Sequence, residues 1–307
     1  MDALLLLMVL IWGANYTIVK RAFEELPPQA FNAMRVTIAS LVFLGLIAWA
    51  GRRGRRSTGL PRVFYTPEPL ERRDRWDLVW VGLVGHFLYQ SAFIAGLGRT
   101  SASNAALIIG ATPVVVAVLA AALGLERITR IHWVGVGVSA VGIYFVVGTG
   151  VSIDGASLGG DLLVAVAVIC WAVYTLGSGR LIARHSPLFV TGMTMAIGGL
   201  PYALVMLPEL TRVEWARVSV WAWGAVVFSA LFALCLSYLI WYAAVQRIGQ
   251  SRTAMYSNLV PIAAMAVAAI WLHEAISPGR VLGTAAVLIG VFLTRLGRSA
   301  PAVPIEE

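Results

Sequence analysis

The sequence predicts an all-α integral membrane protein of ten transmembrane helices, arranged as two inverted five-helix repeats around a central cavity. Three observations carry that expectation: an apolar composition, ten apolar segments of spanning length, and a repeat whose unit holds an odd number of them. Of the 307 residues, 59% are hydrophobic and 12% charged, and the mean hydropathy is +0.83. Water-wetted domains carry roughly 25% charged residues, so most of this surface must face something other than water. Composition therefore outweighs a length that would allow two soluble domains.

A hydrocarbon core about 30 Å thick takes roughly 20 apolar residues as a helix. Segment 3–22 comes first, and its apolar stretch, Ala3 to Val19, lies between Asp2 and the pair Lys20 and Arg21. It lacks a basic leading region and a small-residue cleavage signal, so it is expected to stay as a span rather than be removed as a signal peptide. Segments 29–50, 76–98, 103–123 and 131–149 complete the first half. Segments 160–181, 188–207, 219–246, 253–272 and 279–297 form the second. Connections are short except for 51–75, an Arg-rich stretch expected to be an aqueous loop. The chain thus divides into 1–149, 150–298 and a tail, 299–307, expected to be disordered.

The net charge of +8 does not point to nucleic acid, because the arginines lie in short gaps between apolar runs. Cytoplasmic loops carry such residues. With the N-terminus inside, the cytoplasmic face collects the eight arginines of 51–75 together with Arg127, Arg130, Arg180, Arg184, Arg247, Arg252, Arg295 and Arg298. The other face receives only Lys20, Arg21, Arg99, Arg212, Arg217 and Arg280. Both termini are therefore expected in the cytoplasm, and the protein in the cell's inner membrane. Cys170 and Cys235 both lie in apolar runs and make neither a disulfide framework nor a metal site.

An internal repeat follows from sliding 99–145 onto 247–293 without gaps. Arg99, Ser103, Pro113, Glu126, Gly135 and Gly142 fall on Arg247, Ser251, Pro261, Glu274, Gly283 and Gly290. At a shift of 159, Trp12, Arg21, Pro28 and Met34 fall on Trp171, Arg180, Pro187 and Met193. The longer 51–75 loop accounts for the difference between the shifts. Five helices per half is an odd number, so the second half must enter the bilayer from the opposite face. Many secondary transporters obtain their two exchangeable conformations from such inverted repeats.

The residues also carry a family resemblance. Trp12-Gly13-Ala14-Asn15-Tyr16, then Thr100 to Leu107 with Pro113, Gly124-Leu125-Glu126-Arg127 and Gly135 to Gly142, resemble the EamA repeat of the drug/metabolite transporter superfamily. The second half repeats the pattern with Pro261, Leu272-His273-Glu274 and Gly283 to Gly290. The resemblance covers nearly the whole chain. It implies ten helices around a cavity that alternates between two faces, and it leaves the substrate open. The stretch His86-Phe87-Leu88-Tyr89 is most similar to the exporters of aromatic amino acids.

Polar side chains within spans tend to face the bundle interior or a cavity, and residues i, i+3, i+4 and i+7 share a helix face. The candidate lining set is Trp12, Asn15 and Tyr16; His86, Tyr89 and Gln90; Trp171 and Tyr174; Tyr238 and Tyr242; and Tyr256 and Asn258. Interfacial belts offer another use for Trp and Tyr, and packing between helices another use for Asn. His86 is a candidate proton carrier, or else a structural hydrogen-bonder. Arg35 is a candidate partner for a substrate carboxylate, or else snorkels from the helix end. Pro113 and Pro261 are placed mid-helix, where each would free a carbonyl and form a hinge or a static kink.

No Asp or Glu falls in the middle of a span, and no central cluster of Arg or Lys could hold phosphates. Cationic drugs and sugar phosphates are therefore disfavoured. Rings, amides and hydroxyls suit neutral or zwitterionic solutes with an apolar part, aromatic and hydrophobic amino acids among them. Other amphipathic metabolites or drugs remain the alternative substrates. A membrane enzyme would need a nucleophile with its base or paired metal ligands, and no H-E-x-x-H or pair of histidines on one helix face is present. The expectation is completed by a monomer in the bilayer with a small-molecule substrate and no cofactor or metal.

Overall fold

The computed structural model describes residues 1–54, 60–100, 105, 108–125, 129–147, 155–272 and 278–296. The expected tail 299–307, the start of segment 103–123, and Glu126, His273 and Glu274 lie outside the described residues. Among the described residues every regular element is helical. In chain order these are α1 (Asp2–Ala22), α2 (Pro28–Gly54), α3 (Arg72–Leu97), α4 (Ile108–Ala122), α5 (Arg130–Val147) and α6 (Gly155–Gly177). They are followed by α7 (Pro187–Val205), α8 (Val220–Ile248), α9 (Val260–Leu272) and α10 (Pro278–Leu296).

Six stretches are long and apolar enough to cross a bilayer unaided: α1, α2, α3, Leu158–Arg184, α7 and α8. Ile108–Ala122 and Val281–Gly290 are shorter apolar helices. The burial pattern is the reverse of a soluble protein's. Leu4, Leu10, Leu41, Trp49, Val134, Val141, Leu282 and Phe292 are exposed, while Asn32, Arg35, His86, Gln90, Thr194, Ser229 and Asn258 are buried. Polar groups gathered inside an apolar shell fit a hydrocarbon surrounding, in which unsatisfied polar groups are costly.

Local sequence explains where several helices begin and end. Glu71 caps α3 and forms a capping box with Asp74, so the helix starts four residues before the expected segment. The capping pair satisfies backbone N–H groups that a helix start leaves free. Ser186 caps α7 through the Phe189 N–H, with Pro187 in the first turn. Gly249 takes a positive φ of 87° and breaks the chain between α8 and the turn Gln250–Met255. Between α2 and α3, Leu188 N–H donates to Val63 O at 3.0 Å and Ser186 Oγ to Phe64 O at 3.3 Å. The described part of that connection therefore lies against the start of α7.

The helices pack α5 on α10, α2 on α7, α1 on α8 and α9, and α6 on α3 and α4. In addition α3 packs on α7, and α8 on α2. The α5–α10 contact is the most extensive of these. A Cβ on Gly142 would stand 2.7 Å from Gly283 O, and one on Gly290 would stand 2.5 Å from Gly135 O. The glycines seven residues apart thus let two backbones touch, as small residues do between membrane helices.

One of the two prolines departs from the sequence expectation. Pro113 lies within α4, just after a one-residue break at Ala111, and Thr112 Oγ1 donates to the Ile109 carbonyl at 2.6 Å. Pro261 is the second residue of α9 and follows the 3-10 turn Tyr256–Leu259. A first-turn proline such as Pro261 costs no ladder bond, because the N–H it lacks has no partner there.

Candidate functional site

A cavity of about 100 Å³ lies where α1, α2, α3, α4, α6 and α8 converge with the turn before α9. Six of its lining side chains are aromatic rings. Trp12 on α1 stands 6.0 Å from Trp171 on α6 and 6.1 Å from Tyr238 on α8, centroid to centroid. Trp171 is 5.1 Å from Tyr238 and 5.2 Å from Tyr89 on α3. Tyr89 stacks on Phe93 at 5.7 Å, and Tyr16 meets Phe93 edge-on at 6.4 Å. Such offset and edge-on arrangements suit the quadrupoles of the rings. Behind them Trp241, fully buried, closes one end against Trp12 and Trp171 at 5.7 and 5.4 Å. Toward the other end the lining continues as Val19, Leu97 and Ile109.

Two π-turns shape these walls. One covers Leu83–Leu88 in α3 and the other Ser229–Leu236 in α8, at overlapping positions under the 148-residue shift. A π-turn inserts an extra residue and displaces the carbonyls of the ladder. In α8 those carbonyls are used: Trp12 Nε1–H donates to Ala233 O at 2.9 Å, and Ser237 Oγ to Phe232 O at 2.9 Å. The first bond fixes the Trp12 ring across the cavity floor.

One corner is polar. Arg35, 4% exposed, comes from α2 and donates through Nε to Asn32 Oδ1 at 2.6 Å. Its two terminal nitrogens reach Gln90 Oε1 at 3.2 Å and Ser229 Oγ at 3.5 Å. The Ser229 hydroxyl in turn donates to Asn15 Oδ1. Arg35 therefore does not snorkel; α2 buries it two turns inside the helix, facing the cavity. Among the described residues no carboxylate lies within 4.0 Å of it, and none lines the cavity.

Of the residues singled out from sequence, Trp12, Asn15, Tyr16, Arg35, Tyr89, Gln90, Trp171 and Tyr238 come together around this cavity. His86, Tyr174 and Tyr242 do not line it; they form a buried layer behind Trp171 and Tyr238. There His86 Nε2 meets Tyr174 Oη at 2.8 Å, and Tyr174 Oη meets Thr194 Oγ1 at 3.0 Å. Ser178 Oγ lies 3.3 Å from Tyr242 Oη. Tyr256 also lies off the cavity, its hydroxyl donating to Asp2 Oδ1 at 2.7 Å. Asn258 is buried in the 3-10 turn beside Ser257, and only Ser257 reaches the lining. Pro113 and Pro261 contribute nothing to it.

Sequence reasoning missed Ser229, Asn32 and Thr112, while Trp241 shares the α8 stripes of Tyr238 and Tyr242. Ser229 and Asn32 carried a usable signal, being polar residues within an apolar span. Leu234 lines the cavity although its repeat equivalent, His86, does not. Among the described residues no group of three His, Cys, Asp or Glu could hold a metal ion.

Comparison with known proteins gives a family and a fold. The EamA-like transporter family model matches residues 1–148 and 158–296. An uncharacterized transporter of Bacillus subtilis, YyaM, is 28% identical over 91% of this chain and 88% of its own length. A probable terminal-alkyne amino-acid exporter of Streptantibioticus cattleyicolor is 26% identical over 97% and 95%. A probable amino-acid metabolite efflux pump of Salmonella typhimurium is 24% identical over 96% and 94%. A solved crystal structure shares the fold at a TM-score of 0.73 and 20% identity, covering 96% of each chain.

Proposed function

Because the chain belongs to the EamA-like transporter family, we propose that it is a secondary transporter of small neutral or zwitterionic metabolites. Aromatic and hydrophobic amino acids are the foremost substrates, exported across the inner membrane by alternating access. The observation that carries this reading is the ring-lined cavity, with its single polar corner, shared between the two halves of the chain. Relatives named as amino-acid exporters add support to the substrate class.

The reading takes all ten helices as spans in two inverted sets of five. Support comes from the packing, because each contact has a counterpart when helices five places apart are exchanged. The α1–α9 contact corresponds to α6–α4, α1–α8 to α6–α3, and α2–α8 to α7–α3; α5–α10 and α2–α7 map onto themselves. With both termini cytoplasmic, as the arginine distribution favours, Val19, Leu97 and Ile109 point the cavity outward. The Trp241 end then faces the cytoplasm, and the conformation is outward-facing. The protein works as a monomer, and no step needs a cofactor.

The test is counterflow by purified protein in liposomes against an amino-acid panel, with and without a pH gradient. Saturable, stereoselective counterflow of aromatic or hydrophobic amino acids is expected. Leakage that does not saturate would replace the carrier with a pore. Transport restricted to small polar amino acids would remove the substrate class.

A further inference from the structure

The polar corner holds more hydrogen-bond donors than acceptors. A guanidinium offers five N–H groups in a planar fork and is always charged in proteins. Arg35 spends them on neutral oxygens of Asn32, Gln90 and Ser229, and among the described residues no carboxylate is within 4.0 Å. Gln90 turns its Oε1 toward Arg35, which leaves its Nε2 without a partner although the residue is fully buried and lines the cavity. The Ser229 proton is committed to Asn15, so its lone pairs face Arg35. A buried cation among neutral dipoles, beside an unsatisfied amide donor, calls for an anionic acceptor from the ligand.

Nothing comparable awaits a cation. Among the described residues no Asp or Glu lines the cavity, so a cation would meet ring faces of Trp12, Trp171 and Tyr238 but no negative charge to pair with. We propose that Arg35 and Gln90 form a carboxylate receptor, and that the cavity requires the free carboxylate of its ligand but not an ammonium. Its ligands are amphipathic monocarboxylates, of which aromatic amino acids are one case and the corresponding deaminated acids another. Asn32, Ser229 and Asn15 are positioning residues that hold the fork and aim it. This inference rests on the transporter reading and narrows its substrate class.

The test begins with the unaltered protein in lipid nanodiscs and four matched probes, with binding measured by calorimetry. L-phenylalanine and 3-phenylpropionate keep the carboxylate; L-phenylalaninamide and phenethylamine lack it. The two acids are expected to bind within a few-fold of each other, and the amide and amine roughly tenfold or more weakly, because charge-assisted pairs are the stronger ones. Equal binding of acid and amide, or failure of all four probes to bind, would overturn the carboxylate receptor. The transporter reading would survive either result so long as counterflow of another panel solute persists.

Three variants then place the effect on the named residues. Arg35→Gln should remove the acid-over-amide preference, while Arg35→Lys retains part of it. Gln90→Glu leaves Arg35 in place and gives it an internal carboxylate, so the folded protein should lose binding of both acids. Unchanged acid binding in a folded Gln90→Glu protein would also overturn the proposal.

Discussion

The start of α3 and the start of α8 occupy equivalent places in the two halves, yet different chemistry closes the protein over each. At the start of α3, fully buried Asp74 receives His185 Nε2 at 3.1 Å, with Arg180 and Arg184 each 3.5 Å away. Glu71 pairs with Arg184 at 2.6 Å, and Asp77 with Arg180 at 2.8 Å. At the start of α8 a single carboxylate, Glu25, accepts from Ser219 N–H and Oγ at 2.7 and 2.9 Å. Arg21, the repeat equivalent of Arg180, sits 4.9 Å from the centre of the Trp221 ring. One end is latched by a charge network around a buried acid, and the other is tied lightly at the surface. A symmetric scaffold thus need not give two equally stable closures. On the topology proposed above, the latched end is the cytoplasmic one, and the structure is closed there.

The sharpest way to break this comparison is Asp74→Ala. It removes the acceptor of His185 and the acid that Arg180 and Arg184 share, while Arg184 keeps Glu71 and Arg180 keeps Asp77. Losing a buried hydrogen bond to a charged group costs about 1.5–3 kcal/mol. Spin-label distances between the start of α3 and the Gly179–Arg184 turn should lengthen, and the thermal midpoint should fall. Unchanged distances would mean that Asp74 is not the latch. Arg180→Gln removes a partly exposed member and should weaken the same closure by roughly 1 kcal/mol, since solvent screens much of the gain. The conformer population read by the same labels would report it.

Acid should act next. The Arg184 hydrogen bond, foremost among its surroundings, holds the Glu71 pKa below the ordinary carboxylate value. Its contribution is therefore complete above the ordinary range and is lost as pH falls through the lowered value. Label distances at the α3 end should broaden only on strong acidification, while those at the α8 end stay unchanged by Glu71. A transition near neutrality would assign the pH response to another group. Smallest of all, Glu25→Gln at the exposed end should leave the α3-end distances unaltered and loosen only the α8 start. An effect equal to that of Asp74→Ala would erase the asymmetry.

Much of this was legible in the sequence, for physical reasons that differ residue by residue. Trp12 and Trp171 stood out as deep aromatic residues matched in the repeat, and both form the cavity floor. Arg35 stood out as a charge within a span; its burial became clear only from the fork of Asn32, Gln90 and Ser229 around it. His86 was placed on the cavity face by 3.6-residue arithmetic. The π-turn Leu83–Leu88 inserts a residue into that count and changes the phase of the face. His86 lies inside the turn and ends in the layer behind the wall, whereas Tyr89 and Gln90 lie beyond it and face the cavity. No local sequence signal marks either π-turn, so the phase change is invisible to helix-face counting. Pro113 stands at a break inside α4, as its place in the apolar segment implies, whereas Pro261 occupies the first turn after the 3-10 segment Tyr256–Leu259.

The reciprocal glycine contact between α5 and α10 has a consequence for how the protein is made. Gly135 and Gly142 find their partners, Gly290 and Gly283, in α10, the fifth helix after α5 in chain order. Until α10 is made, that flank of α5 has no backbone surface to meet, and it must be covered by lipid or by a provisional neighbour. The seal along α5 therefore forms late relative to α5 itself. A chain stopped before Pro278 would lack that seal however well the preceding helices had folded.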